Sequence, residues 1–141
     1  MKLRIMVTGL LVGSLVLVAC GRETSPGASG AKVPVPSVAQ NVTLQGSSTF
    51  DRMTQRGTVI VGVKNDQPGL GYLNPITNKY EGFDVEIARL IAAKLGFDSQ
   101  TKIEYKAISS AAREQSISNG EVDYYVGTYT INDARKKQIS F

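Results

Sequence analysis

Residues 58–107 read TVIVGVKNDQPGLGYLNPITNKYEGFDVEIARLIAAKLGFDSQTKIEYKA, and the order of patterns in this stretch decides the fold. Thr58–Lys64 is β-branched and mostly apolar, which predicts a buried strand. Residues 65–82 carry Pro68, Gly69, Gly71, Pro75 and Gly82 and are expected to form a long loop. Asp84 is the expected cap of a helix, with Glu86 as an acid in its first turn. Val85, Ala88, Ile91, Ala92 and Leu95 fall on one face, and Gly96 ends the run. Thr101–Ala107 then alternates, with Ile103, Tyr105 and Ala107 on one side, and predicts a second strand.

The same rhythm continues outward. Ser109 or Ser110 begins a second helix that ends at Asn119-Gly120; Glu121–Val126 is a third strand; Asn132 or Asp133 opens a third helix containing Arg135, Lys136 and Lys137. Before the first strand, Phe50–Gln55 is a short helix stopped by Gly57. A β-α-β-α-β-α order implies a mainly parallel sheet with right-handed crossovers. Ligands of open parallel sheets collect beyond the carboxyl ends of the strands. Three stretches meet there: 64–72, 107–113 and 126–135.

The segment 127–135, GTYTINDAR, leaves the third strand and enters a helix. Alternation puts Thr128 and Thr130 on the same side. Two hydroxyls, free N–H groups, a helix start and an arginine can hold a carboxylate, because guanidinium grips both oxygens at once. On spacing alone the plainer reading has the advantage: two ordinary strand residues and a solvated helix charge.

Composition narrows the function classes. The chain has 141 residues, 16 basic against 12 acidic, one Cys and no His. Without His there is no His-dependent triad, His general base or imidazole zinc site. One Cys forms no internal disulfide and no CxxC metal motif. No metal or cofactor is expected. Residues 1–20, MKLRIMVTGLLVGSLVLVAC, place Lys2 and Arg4 before an apolar stretch that is too short for a stable membrane span. Its end, Leu17-Val18-Ala19-Cys20, resembles a bacterial lipoprotein signal, which implies cleavage after residue 19 and lipid on Cys20. A plain signal peptide or a buried hydrophobic helix, with a chance Cys, is the alternative. Several acyl chains hold a protein firmly on a membrane, whereas one is marginal. Removing residues 1–19 leaves 14 basic against 12 acidic residues, and residues 51–141 hold 12 against 11. The only basic run left is Arg135-Lys136-Lys137, so a nucleic-acid partner is not expected. Residues 20–50, rich in Gly, Ser, Pro, Ala and Thr, read as a lipidated flexible tether. Residues 51–141 are the folded part.

A family resemblance rests on VGVKNDQPGLGY, EGFDVEIARLIAAKLGF, NGEVDYYVGTYTINDARKKQISF, and Arg113 ten residues before Asp123. These stretches resemble the first lobe of polar amino-acid binding proteins of bacterial ABC importers. The resemblance implies an α/β fold: the parallel-sheet first lobe of a periplasmic-binding-protein-like type II fold, incomplete because the second lobe is absent from these residues. It also implies ligand-binding roles. A small polar residue, Ser/Thr two positions on and Arg five further match Thr128, Thr130 and Arg135. In the family the arginine and second hydroxyl clasp the ligand α-carboxylate, and the first hydroxyl or a nearby carbonyl receives the α-ammonium. Glutamate-type members meet the side-chain carboxylate with basic groups at the positions of Lys64 and Arg113, with Ser110 nearby. Tyr72 would cover the aliphatic stem. Solvated charges at Lys64 and Arg113, and a packed loop tyrosine at Tyr72, remain open alternatives.

The implied protein is a monomeric, non-enzymatic, extracytoplasmic binding component, lipid-anchored to the cell membrane. Its ligand would be a polar amino acid, glutamate first, and its partner an ABC permease. Alternatives are an enzyme on the same fold, dehydratase- or transglycosylase-like, and a ligand-sensing module of a receptor. With no second lobe to close over the ligand, the 141 residues are expected to bind glutamate weakly or not at all.

Overall fold

A computed structural model describes residues 33–141. The expected signal at 1–19, Cys20 and the first part of the expected tether lie outside the described residues. Helix α1 (Ser48–Arg56) is capped by Ser47, whose Oγ accepts the Phe50 N–H at 3.2 Å. It ends at Gly57, whose φ of 73° is left-handed and lets its N–H return to the Met53 and Thr54 carbonyls. Strand β1 (Val59–Val63) follows. Val59, Val61 and Val63 are fully buried, and with Phe50, Met53, Ala88, Ala92 and Phe97 they form the core. That match between a β-branched run and complete burial is what a central parallel strand requires.

The sheet order is β4-β1-β5, with β4 (Ile103–Ala107) and β5 (Tyr124–Tyr125) both parallel to β1. The expected parallel sheet is thus present, with the first strand in the middle. β5 is much shorter than the expected 121–126. Its pairing nevertheless extends on both sides: Asp123 N–H donates to Ile60 O at 2.8 Å, and Val126 N–H to Gly62 O at 3.0 Å.

Three local readings are corrected. The loop expected at 65–82 contains an antiparallel hairpin, β2 (Tyr72–Asn74) with β3 (Lys79–Glu81). Its strands are three residues each, too short for alternation to stand out among Pro and Gly. The Asn74 side chain builds the turn by accepting the Ile76 and Thr77 N–H groups. The Tyr80 ring then packs 5.2 Å from that of Tyr105, pinning the hairpin to β4.

Asp84 does not cap helix α2 (Phe83–Lys94); the cap position is Gly82. The Pro68–Gly71 turn lies on the helix start, so the Phe83 and Asp84 N–H groups donate to the Gly69 and Leu70 carbonyls at 2.9 and 3.1 Å. These loop carbonyls do the work expected of the Asp84 carboxylate. Val85, Ala88 and Ala92 of the expected face are buried, and Gly96 takes a φ of 90° just past the end.

Helix α3 (Arg113–Ser118) begins later than Ser109 or Ser110, because residues 110–112 form a turn in which Ala112 N–H donates to Ser109 O at 3.2 Å. Helix α4 (Asp133–Lys136) is one turn, capped by Asn132. The described part of the expected tether touches the lobe: Ala39 N–H donates to Ala93 O at 2.8 Å, and Val42 packs against the core.

Candidate functional site

The parallel sheet sends the carboxyl ends of β1, β4 and β5 toward one edge, and the chain leaves each strand carrying an expected site residue. Lys64 follows β1 directly and is buried, with its Nζ 3.2 Å from the Asp66 Oδ1. Tyr72 opens β2, half-buried, and its backbone bridges that of Asp66. Gly71 lies so close to Lys64 that a Cβ there would stand 2.8 Å from the Lys64 carbonyl oxygen. Lys64 and Tyr72 are therefore fixed by one tight turn.

Arg113, first residue of α3, is buried although charged. Its Nη1 donates to the Thr128 carbonyl at 2.9 Å, and its guanidinium carbon lies 3.9 Å from the Tyr129 ring centroid and 5.9 Å from that of Tyr125. Aromatic faces attract a cation and compensate part of its lost hydration. The Thr128 hydroxyl, exposed, is 3.3 Å from the Gln67 Oε1 and donates to it. Through Gln67 the loop after β1 meets the loop after β5.

Arg135 comes back to the same ring, its guanidinium carbon 4.7 Å from the Tyr129 centroid. Its Nε donates to Glu114 Oε1 at 2.9 Å and its Nη1 to the Thr130 carbonyl. The Arg135 backbone N–H is taken by Asn132 Oδ1 at 3.0 Å, and α4 has a single turn, so the helix start adds little to anion attraction. Thr130 is exposed. Ser110 is exposed and lines a shallow cleft with Glu114, Gln115 and Gln138, apart from Lys64 and Tyr72.

The structure thus brings Arg113, Thr128 and Arg135 around Tyr129, with Thr130 bonded through its backbone. Lys64 and Tyr72 form a second group across Gln67. Sequence reasoning missed Gln67, Glu114 and Tyr129. Tyr129 stands between Thr128 and Thr130, where strict alternation would turn it away from them. The chain leaves β5 after Tyr125, so that alternation does not hold there. The Tyr129 phenol and the Arg135 guanidinium hold the Glu114 carboxyl below the usual carboxylate range. Burial raises the Tyr125 phenol, while Arg113 and Lys64 pull it the other way. The arrangement can hold an anion with planar oxygens on an open surface. Among the described residues no group of three or more acidic, Cys or His side chains could hold a metal ion.

Comparison with known proteins bears on the same region. Residues 59–141 match the family model of bacterial extracellular solute-binding proteins, family 3. The chain is 43% identical over 99 residues to the glutamine-binding protein of Geobacillus stearothermophilus, covering 70% of this chain and 37% of that one. It is 41% identical over 100 residues to the glutamate-binding protein GluB of Corynebacterium glutamicum, covering 68% and 33%. Among solved structures, the solute receptor for L-cysteine of Neisseria gonorrhoeae superposes with a TM-score of 0.62 at 30% identity, over 67% of this chain and 37% of that one. The chain spans about a third of the length of the curated relatives it matches. With the family match covering more than half of its residues, the chain belongs to the bacterial extracellular solute-binding proteins, family 3, and its fold is an α/β lobe of the type II periplasmic-binding-protein class.

Proposed function

We propose that this lobe receives a polar amino acid, glutamate before glutamine, as part of the extracytoplasmic binding component of an ABC importer. One observation carries the reading: Arg113 and Arg135 both rest on Tyr129 at the carboxyl edge of the parallel sheet. Two guanidiniums held by one ring, partly shielded from water, favour a carboxylate over neutral ligands. In this reading Arg135 and Thr130 take the α-carboxylate, and Thr128 takes the α-ammonium. Lys64 and Arg113 receive the side-chain carboxylate, and Tyr72 covers the stem. Relatives named for glutamine and for glutamate support the amino-acid class equally, so the preference for glutamate rests on the two basic groups. The same proposal anchors the chain to the cell membrane through lipid on Cys20 and delivers its ligand to a membrane permease.

Ligand preference is tested by titrating the chain with glutamate and glutamine before and after Lys64→Gln. Glutamate preference falling several-fold in the variant is the expected result; an unchanged preference removes Lys64 from the site. Incorporation of labelled fatty acid in a bacterial host, lost in Cys20→Ser, tests the anchor.

A further inference from the structure

Arg135 is already engaged, and its partner is a carboxylate. The Nε donates to Glu114 Oε1 at 2.9 Å, and Nη1 donates to the Thr130 carbonyl. A guanidinium offers a side-on fork, Nε with Nη2, and an end-on fork, Nη1 with Nη2. Glu114 takes the Nε hydrogen of the first, and the Thr130 carbonyl accepts from Nη1. The side-on fork is therefore not free for two-point capture of another carboxylate. The pair is only partly open to water, with side chains 25% and 20% exposed. Glu114 follows Arg113 on α3, so burial of Arg113 against Tyr129 fixes where Glu114 can reach.

We infer that Glu114 is an internal stand-in for the ligand carboxylate, holding Arg135 on Tyr129 until an incoming carboxylate displaces it. This rests on Arg135 as the carboxylate-binding residue. Glu114 then acts as a positioning residue: it keeps the guanidinium on the Tyr129 ring and sets a threshold against weak anions. A ligand must out-compete a tethered carboxylate, so the observed affinity is the intrinsic one reduced by the fraction of Arg135 that is free. Monovalent anions that make one contact are rejected more strongly than ligands that fill both a fork and a second subsite.

The test uses the 141-residue chain, labelled with ¹⁵N, and follows the Arg135 Nε–Hε resonance during titration with acetate and separately with glutamate. Acetate reads carboxylate capture alone, whereas glutamate reads the amino-acid site. Glu114→Gln should tighten acetate binding at Arg135 about fivefold, the amount expected for releasing a partly exposed ion pair. Glu121→Gln, which removes an exposed charge elsewhere on the lobe, should leave it unchanged. An unchanged or weakened response in Glu114→Gln overturns the inference, as does an equal gain in Glu121→Gln, which would mark a net-charge effect. If acetate never moves the Arg135 resonance, the inference also fails. If acetate behaves as expected while glutamate binds without disturbing Arg135, the competition stands and the amino-acid reading of that residue fails.

Discussion

Asp123 and Ile60 are bonded to each other twice: the Ile60 N–H donates to Asp123 Oδ2 at 2.7 Å, and the Asp123 N–H donates to the Ile60 carbonyl at 2.8 Å. The same Oδ2 accepts from the Arg56 guanidinium, and the Asp123 side chain is 2% exposed. One carboxylate therefore joins α1, β1 and the start of β5. Asp123→Ala should cost about 2–3 kcal/mol in urea unfolding, since it strands the Ile60 N–H and removes the partner of Arg56. Asp123→Asn, which keeps an acceptor oxygen, should cost less than half of that.

Gly82 gives the second prediction. Its φ is 113°, and a Cβ there would stand 2.1 Å from the Leu70 carbonyl oxygen, which is backbone. Gly82→Ala must push the Pro68–Gly71 turn off the start of α2, at a cost of about 3 kcal/mol or more. Gly57→Ala, also at positive φ but with no atom near the added methyl, should cost only about 1 kcal/mol. Comparing the two unfolding midpoints separates close approach from backbone preference.

Asp84 gives a pH prediction. It is 6% exposed, and its Oδ2 has no hydrogen-bond partner, because the nearby N–H groups serve Gly69 and Leu70. Burial raises its carboxyl pKa above the ordinary 3.8. A carboxyl raised on folding favours the fold below its unfolded pKa and loses that contribution as pH climbs through the folded value. Asp84→Asn should therefore be more stable than the parent by about 1 kcal/mol at pH 7. The difference should shrink to nothing below the ordinary aspartate pKa. Thermal unfolding across that pH range checks the sign.

Tyr124 gives a fourth. Its hydroxyl donates to the Ala88 carbonyl at 2.8 Å, and burial raises the phenol far above its usual value. Tyr124→Phe should lose about 1 kcal/mol by removing a buried hydrogen bond to the Ala88 carbonyl. Ultraviolet titration of the folded chain should find one tyrosine that stays protonated until the fold itself gives way.

Much of this was legible from the chain alone, for identifiable reasons. Burial of Val59, Val61 and Val63 follows from an unbroken β-branched run, and the parallel order follows from helices between strands. What was hidden is contact over long sequence separation. Nothing near Gly82 announces that Leu70 lies against it, so the sequence points to Asp84 for a capping role that loop carbonyls perform. The three-residue strands of the hairpin are shorter than any period can reveal. At the site, Arg135 could be noticed from its place after Thr128 and Thr130, and Lys64 and Arg113 only through the family resemblance, but Glu114 and Gln67 by neither route. Their importance comes only from the side chains they meet, Arg135 and Thr128.

The decisive measurement is a glutamate titration of the ¹⁵N-labelled chain, read at Arg113, Thr128, Thr130 and Arg135, beside the same titration of Arg135→Ala. In the proposed site the guanidiniums would face a ligand from one side of an open surface, which supplies a small share of the burial a tight pocket gives. Joint shifts at those four residues, a Kd weaker than about 1 mM, and their loss in Arg135→Ala are expected. Tight binding near 10 μM (about −7 kcal/mol) would contradict a site open on one side, and binding that survives Arg135→Ala would contradict a carboxylate site built on Arg135.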